Sequence, residues 1–145
     1  MAQQIISTFI LMAGFIVGLG AVTVIDIHGF LGRKSSYWTK ATIQTHKVTK
    51  PLIWLGILLV SIGTGLFYYP DYSDLYAQIH IGLISALVVN GIFLSFKVSP
   101  MLLKKEKEGK AEELLSTKWQ NKITVSFVFS FLGWWGSLLL FIIQL

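Results

Sequence analysis

The chain has 145 residues, of which 54% are hydrophobic and only 13% are charged. Soluble domains carry about 25% charged residues, so this chain cannot cover a surface that faces water on all sides. It contains no cysteine, which excludes disulfides, iron–sulfur clusters, thiolate metal sites and covalently attached c-type haem. The composition therefore predicts a membrane protein without thiol chemistry.

Four uncharged apolar runs predict four transmembrane helices within a single domain, residues 1–145. A helix that crosses the hydrocarbon core of a bilayer needs about 20 residues. The runs are Ile5–Ile25, Pro51–Tyr69, Ile79–Phe96 and Ile123–Leu145. Because they are continuous rather than alternating, a transmembrane β-barrel is excluded. The expected fold class is all-α, an integral membrane four-helix bundle.

The basic residues predict the orientation of the helices. All 12 Lys and Arg lie in or beside the first and third loops, whereas the second loop, residues 70–78, has acidic residues and no cation. Lys and Arg are enriched in cytoplasmic loops. We therefore expect loops one and three in the cytoplasm and both termini outside (N-out/C-out), in a plasma or inner cell membrane.

The first loop predicts a cytoplasmic extension of the second helix. Ser36 is an acceptable N-cap, and no helix breaker follows it before Pro51. The helix is therefore expected to run from Ser36 through the second span, with a kink at Pro51. Gly29, Gly32 and Ser35 are expected to form the turn that precedes it.

The third loop predicts a helix that lies at the membrane surface between the third and fourth spans. Ser99 and Pro100 form a typical helix-start pair. The segment Met101–Trp119 mixes leucines with Lys and Glu, a composition typical of interfacial helices. The alternative is a solvated linker broken at Gly109.

Small residues at helix-face spacing predict close packing between helices. The pairs are Gly14 and Gly18, Ser61 and Gly65, Gly82 and Ala86, Ser126 and Ser130, and Gly133 and Ser137. Most are expected to pack within the bundle, and assembly with a partner is the alternative. Asn90 lies in the middle of the third span and needs a hydrogen-bond partner there, for which Ser126 or Ser130 is suitable.

Three histidines and one acid are the candidates for chemistry. Asp26 directly follows the first apolar run, and ionisable residues at this depth are functional candidates. His28 and His46 lie just beyond the cytoplasmic ends of two consecutive antiparallel helices, so they are expected at similar depth. His80 begins the third span at the opposite face, about 30 Å away. The expected topology therefore allows a shared site for the inner pair only.

Two imidazoles from facing helices can bind haem iron axially or hold a divalent metal, with Asp26 as a third ligand or an orienting carboxylate. Arg33 and Lys50 would suit haem propionates or anionic head groups. We therefore predict a site for haem b or a divalent metal, with His28 and His46 as its ligands. The alternative is that these residues are polar anchors at the interface and bind no cofactor.

The length, the four spans and the positions of His28 and His46 near membrane ends resemble the architecture of small haem-b membrane families. These are the bacterial cytochrome b561 type, the CopD type of copper-resistance protein and the HemJ type of protoporphyrinogen oxidase. The resemblance covers the whole chain and implies a four-helix haem protein that takes part in electron transfer.

Three functions remain open. The first is the haem- or metal-binding protein just described. The second is a non-catalytic membrane subunit or scaffold, which forms a homo-oligomer or joins another membrane protein through small-residue helix faces. The third is a small transporter that uses Asp26 and Asn90. The net charge of +5 lies beside lipid, so anionic head groups are expected as partners rather than nucleic acid.

Single-cysteine variants test the orientation, because the natural chain has no cysteine to remove. In intact cells, Ser73→Cys in the second loop is expected to react with a membrane-impermeant maleimide. Ser116→Cys in the third loop is expected to react only after the membrane is permeabilised. The reverse pattern of labelling would contradict the predicted orientation.

Overall fold

The computed structural model describes residues 2–145, which form helices and no strand. Four helical stretches are long and apolar enough to cross a membrane. The elements are α1, Ala2–Leu31; α2, Ser36–Tyr68; α3, Leu75–Phe93; a π-helical segment, Leu94–Val98; α4, Ser99–Lys107; and α5, Thr117–Ile143. The expected all-α four-helix bundle is confirmed.

The four long helices form a ring in which each packs mainly on two neighbours. Helix α1 packs along α2, α2 on α3, α3 on α5, and α5 on α1. Large apolar side chains cover the outside of the ring, for example Phe9 and Ile16 on α1. Helices of this length with an apolar exterior indicate a lipid bilayer as their surroundings. The protein is therefore a multi-pass membrane protein.

Glycines bring α1 and α2 into backbone contact. A Cβ atom built on Gly56 would lie 2.3 Å from Gly18 Cα, and one on Gly14 would lie 2.7 Å from Val60 Cγ2. Gly18 also makes room for Trp134 of α5, since a Cβ at Gly18 would lie 2.2 Å from the indole. Helices in lipid associate through such close packing, because no hydrophobic force drives them together.

In two of the small-residue pairs, the glycine does not contact a neighbouring helix of the bundle. A Cβ on Gly65 or on Gly82 would have no atom within 4 Å. Gly133, by contrast, faces Leu87, which would lie 2.8 Å from an added Cβ. Gly65 and Gly82 are turned away from the neighbouring helices, so the expectation of internal packing fails at these two positions.

The structure of the first loop agrees with one sequence-based prediction and differs from another. Helix α2 begins at Ser36 and includes Pro51, as expected. Helix α1 continues to Leu31, so Gly29 is helical and only residues 32–35 form the turn. The helix is longer than expected because the N–H of residue 32 still donates to the carbonyl of residue 28, at 2.8 Å.

The pair Ser99 and Pro100 does not start a new helix. Helix α3 continues through the π-helical segment into α4, and the Ser99 N–H donates to the Leu94 carbonyl five residues earlier. Pro100 has no N–H to donate, and wider π-helical turns are one way in which a helix adapts to a missing bond. The third transmembrane helix and α4 therefore form one continuous rod.

The helical part of the third loop is shorter than the predicted Met101–Trp119. Helix α4 ends at Lys107, and Gly109 then adopts a φ of +71°, a conformation that glycine reaches without strain. Residues 108–116 form turns rather than a helix. This part of the loop agrees with the alternative of a linker broken at Gly109.

Exposed ion pairs connect α2 to the third loop. Lys40 Nζ lies 2.7 Å from Glu112 Oε1, and Lys47 Nζ lies 2.7 Å from Glu106 Oε1. The hydrogen bond from Lys40 lowers the pKa of the Glu112 carboxyl below its ordinary value. Exposed pairs of this kind add little stability. Helix packing, rather than these pairs, therefore holds the bundle together.

The backbone contact between α1 and α2 predicts that one glycine substitution destabilises the protein and that another leaves its stability unchanged. Gly56→Ala is expected to destabilise the protein by about 1–3 kcal/mol, because the new methyl group overlaps α1. Gly20→Ala is the control, because no atom lies within 4 Å of a Cβ added at Gly20. Thermal unfolding in mild detergent measures both, and equal midpoints would contradict the contact.

Candidate functional site

A cavity of about 90 Å³ lies between the helices at the end of the bundle predicted to face the cytoplasm. We call it the inner cavity. Its polar lining consists of Asp26 from α1, Thr42, His46 and Lys50 from α2, Ser95 from the π-helical segment, and Thr124 and Ser126 from α5. A cavity of this size has room for several water molecules.

Two ionisable side chains in the inner cavity have unused hydrogen-bonding atoms. Asp26 Oδ2 and His46 Nε2 are both buried, and neither has a hydrogen-bond partner among residues 2–145. A polar atom left unpaired in this way costs about 1–3 kcal/mol. Both residues line the same cavity from adjacent helices. The pair is therefore suited to hold a ligand that offers hydrogen bonds.

Two hydrogen bonds attach the π-helical region to α2 beside this pair. Trp54 Nε1 donates to Ser95 Oγ at 3.0 Å, and Lys50 Nζ donates to Ser99 Oγ at 3.4 Å. Irregular helical turns are frequent at functional sites, because they re-aim side chains and free backbone groups. These bonds close one wall of the inner cavity.

Arg33 lies beside the inner cavity, towards the turn between α1 and α2, rather than in it. Its Nη1 donates to Thr124 Oγ1 at 3.4 Å, and its guanidinium carbon lies 4.0 Å from the centre of the Phe30 ring. Arg33 lines a second cavity of about 20 Å³, which shares Gly29 and Thr42 with the inner cavity. Arg33 is therefore placed near the approach to the inner cavity.

His28 does not line the inner cavity. Its Nδ1 lies 3.0 Å from Thr45 Oγ1, and its ring packs 5.3 Å from that of Trp38. Of the residues predicted to form one site, the structure brings together Asp26, His46 and Lys50. It places His28 in a separate contact with the first part of α2.

The dimensions of the inner cavity bear on the choice of ligand. Pockets for drug-sized ligands have volumes of about 300–1,000 Å³, so a haem between these helices would require them to separate. Within residues 2–145, no group of three His, Cys, Asp or Glu side chains is arranged to hold a metal ion. A metal here would be held by Asp26 and His46 with hydroxyls or water. Haem and metal binding stay predictions.

Asn90 bonds to Ser126, one of the two partners expected for it. The Asn90 amide donates to the Ser126 carbonyl at 3.2 Å, and the Ser126 hydroxyl donates to Asn90 Oδ1 at 2.7 Å. Ser126 also lines the inner cavity, and Ser130 is buried one turn further along α5. The α3–α5 contact thus has a polar bond beside the cavity.

His80 lies at the other end of the bundle. It is fully buried, and its Nδ1 lies 3.3 Å from the Tyr68 hydroxyl at the end of α2. The two rings are perpendicular, with centroids 5.8 Å apart. His80 is therefore separate from the inner cavity, as the expected topology requires.

Sequence reasoning missed several residues of the site. Thr42, Trp54, Ser95 and Thr124 line the inner cavity, but none is ionisable and none belongs to a recognisable motif. Their positions depend on which face of each helix turns inward. The closest signal was Pro100, which could have pointed to an irregular turn in the preceding helix.

No family model, curated protein or solved structure matches the chain. The fold alone defines the class of protein: a multi-pass membrane protein with four long helices. What it does is therefore inferred from the inner cavity and the side chains that line it.

A double-mutant cycle tests the polar bond between α3 and α5. Asn90→Ala and Ser126→Ala are expected to show a coupling of about 0.6 kcal/mol, a typical value for polar pairs between membrane helices. Ser85→Ala is the control, since the Ser85 hydroxyl bonds to the Ile81 carbonyl of its own helix. A coupling with Asn90 as large for Ser85 as for Ser126 would contradict a specific bond.

Proposed function

We propose that the protein is a small membrane transporter whose inner cavity binds a small ion or polar solute through Asp26 and His46. One observation carries this proposal. Asp26 Oδ2 and His46 Nε2 are buried, lack partners among the described residues 2–145, and line the same cavity. Asp26 directly follows the first span, and ionisable groups within membrane-spanning segments typically belong to substrate pathways or proton relays.

The lining of the inner cavity narrows the chemistry of the solute. The Asp26 carboxylate accepts hydrogen bonds, and the His46 imidazole donates or accepts according to its tautomer. The cavity of about 90 Å³ is far smaller than a pocket for a drug-sized ligand, so the solute has few heavy atoms. Lys50 and the surrounding hydroxyls allow either sign of charge, which supports a hydrated small ion as well as a neutral molecule.

The bundle supports access to this cavity from the cytoplasm. The small second cavity beside Arg33 shares lining residues with the inner cavity and lies towards the basic loops. Trp54 of α2 bonds to Ser95 of the π-helical segment, and Lys50 of α2 bonds to Ser99 at the beginning of α4.

Haem or metal binding with electron transfer is a separate proposal that shares His46 with the transporter. The absorption spectrum of protein purified from haem-supplied cells distinguishes the two. A Soret band that is lost in His46→Gln would favour haem. A spectrum without that band would favour the transporter.

Two glycines that face no neighbouring helix support the proposal that the protein assembles with a partner. The unfilled space beside Gly65 and Gly82 is suitable for another helix, from a second copy of the chain or from another membrane protein. The basic cytoplasmic loops favour anionic lipid head groups and a plasma or inner membrane location. These features are compatible with a transporter that assembles as an oligomer.

Uptake by the purified protein in liposomes tests the transporter. Inward gradients of protons, methylammonium, Mn²⁺ and formate are applied separately, and at least one species is expected to enter faster than in protein-free vesicles. Asp26→Asn is expected to slow that uptake roughly tenfold, because the amide lacks the ionisable carboxyl group. Asp71→Asn, in the exposed second loop, is the matched control.

Two results would contradict the proposal. One is that none of the four species enters faster than in protein-free vesicles. The other is that Asp26→Asn transports as fast as the unmodified protein. Circular dichroism of each reconstituted variant checks that a loss of uptake is not a loss of fold.

A further inference from the structure

A second set of polar side chains is buried at the opposite end of the bundle. Thr64 of α2, His80 of α3 and Ser137 of α5 are at most 1% exposed. Thr64 Oγ1, His80 Nε2 and Ser137 Oγ are buried without a hydrogen-bond partner in the described part of the chain. Buried polar atoms almost always have partners. We call these three residues the outer polar group.

Contacts between helices put the outer polar group at one level. The Tyr68 hydroxyl lies 3.3 Å from the histidine of the group and aligns the end of α2 with the beginning of α3. A Cβ on Gly136 would lie 3.6 Å from Leu83, which aligns α5 with the same part of α3. Phe67 and Phe141 have ring centroids 5.5 Å apart, which aligns α2 with α5. Three helices thus present unpaired polar atoms to one layer.

A row of buried hydroxyls on α5 connects this layer with the inner cavity. Ser126 lines the inner cavity, and Ser130 and Ser137 follow it on the same helix face. All three serines are buried. At 1.5 Å per residue the successive spacings are about 6 and 10.5 Å. One bridging water can connect the closer pair, and the longer interval requires a chain of transient waters.

An aromatic layer lies between the two polar regions. Trp134 is 1% exposed, fills the space beside Gly18 and meets Phe15 edge-on with centroids 6.3 Å apart. Protein interiors of this kind are close-packed, so a solute of several heavy atoms would have to displace these rings. A proton needs only hydroxyls, imidazoles and transient waters to cross.

We propose that the transported species is the proton, which passes between the outer polar group and the inner cavity along the hydroxyl row of α5. This inference rests on the proposed function. Each end of the route has an imidazole with an unpaired Nε2, from His80 outside and from His46 inside. Imidazole is the side chain most often used as a proton shuttle, because it accepts a proton at one nitrogen and releases one from the other.

The proton transfer at the outer end uses the His80 imidazole and the Tyr68 phenol. In the tautomer with its proton on Nε2, His80 accepts the Tyr68 hydroxyl proton at Nδ1, and Tyr68 regains a proton from water at the outer surface. His80 then releases its Nε2 proton to a water that leads to Ser137. One Nδ1–H bond forms and one Nε2–H bond breaks, so one proton moves inward. Rotation of the imidazole then turns the protonated Nδ1 inward and the free Nε2 outward, so the next proton enters at Nε2 and leaves from Nδ1.

Proton flux into liposomes tests this route. The full-length protein is reconstituted with a pH-sensitive dye inside, and a valinomycin-induced potassium diffusion potential drives proton entry. The unmodified protein is expected to acidify the interior roughly tenfold faster than protein-free vesicles, and His80→Gln to remove this difference. Tyr68→Phe and Ser137→Ala keep the packing of the layer and are each expected to slow the flux roughly fivefold.

Ser85→Ala is the matched hydroxyl control, because Ser85 is exposed and bonds within its own helix. Its flux is expected to equal that of the unmodified protein. Unchanged flux in both Tyr68→Phe and Ser137→Ala would overturn the outer route. Those two variants decide the matter even where His80→Gln does not reconstitute.

The outcome also separates this inference from the proposed function. If methylammonium, Mn²⁺ or formate enters in an Asp26-dependent manner and protons do not, the proton inference fails and the transporter stands. If no species shows Asp26-dependent entry, both fail. Proton flux that requires both Asp26 and the outer polar group supports both.

Discussion

The backbone contact between Gly18 of α1 and Gly56 of α2 is the constraint on which the rest of the bundle depends. In lipid, helices gain little from burying apolar surface, so they are held by packing at short range. The missing side chains let the two helices touch and leave a recess that Trp134 of α5 fills. One contact thus joins three of the four long helices and closes the middle of the bundle with aromatic side chains.

The aromatic side chains in the middle of the bundle separate its buried polar residues into two regions. At the end predicted to face the cytoplasm, Asp26 and His46 line a small cavity, and at the other end His80 is buried next to Tyr68. Burying unpaired polar atoms lowers stability, and a bundle selected only for packing would replace them with apolar residues. Their presence at both ends, with a row of hydroxyls on α5 between them, is the basis for inferring a route through the protein.

The third loop shows how tertiary structure overrides a helix boundary predicted from the local sequence. Ser99 and Pro100 are typical of a helix start, yet α3 reaches them already helical through a π-helical turn. Propensity at a proline is a local property, whereas the continuation of the helix depends on packing against α2 and on the bonds that Trp54 and Lys50 make to this segment. Those bonds join residues more than 40 positions apart and have no local signature.

The amino-acid sequence by itself determined the number of spans, the all-α fold and the extension of α2 from Ser36, because hydrophobic length and charge are properties of consecutive residues. It also pointed to Asp26 and to the partner of Asn90, since a polar residue in lipid requires a bond. Only the tertiary structure decided that His46 joins Asp26 while His28 contacts Trp38 instead. The physical reason is rotation: which side chains meet depends on the face that each helix turns inward, and packing among all four long helices sets that face.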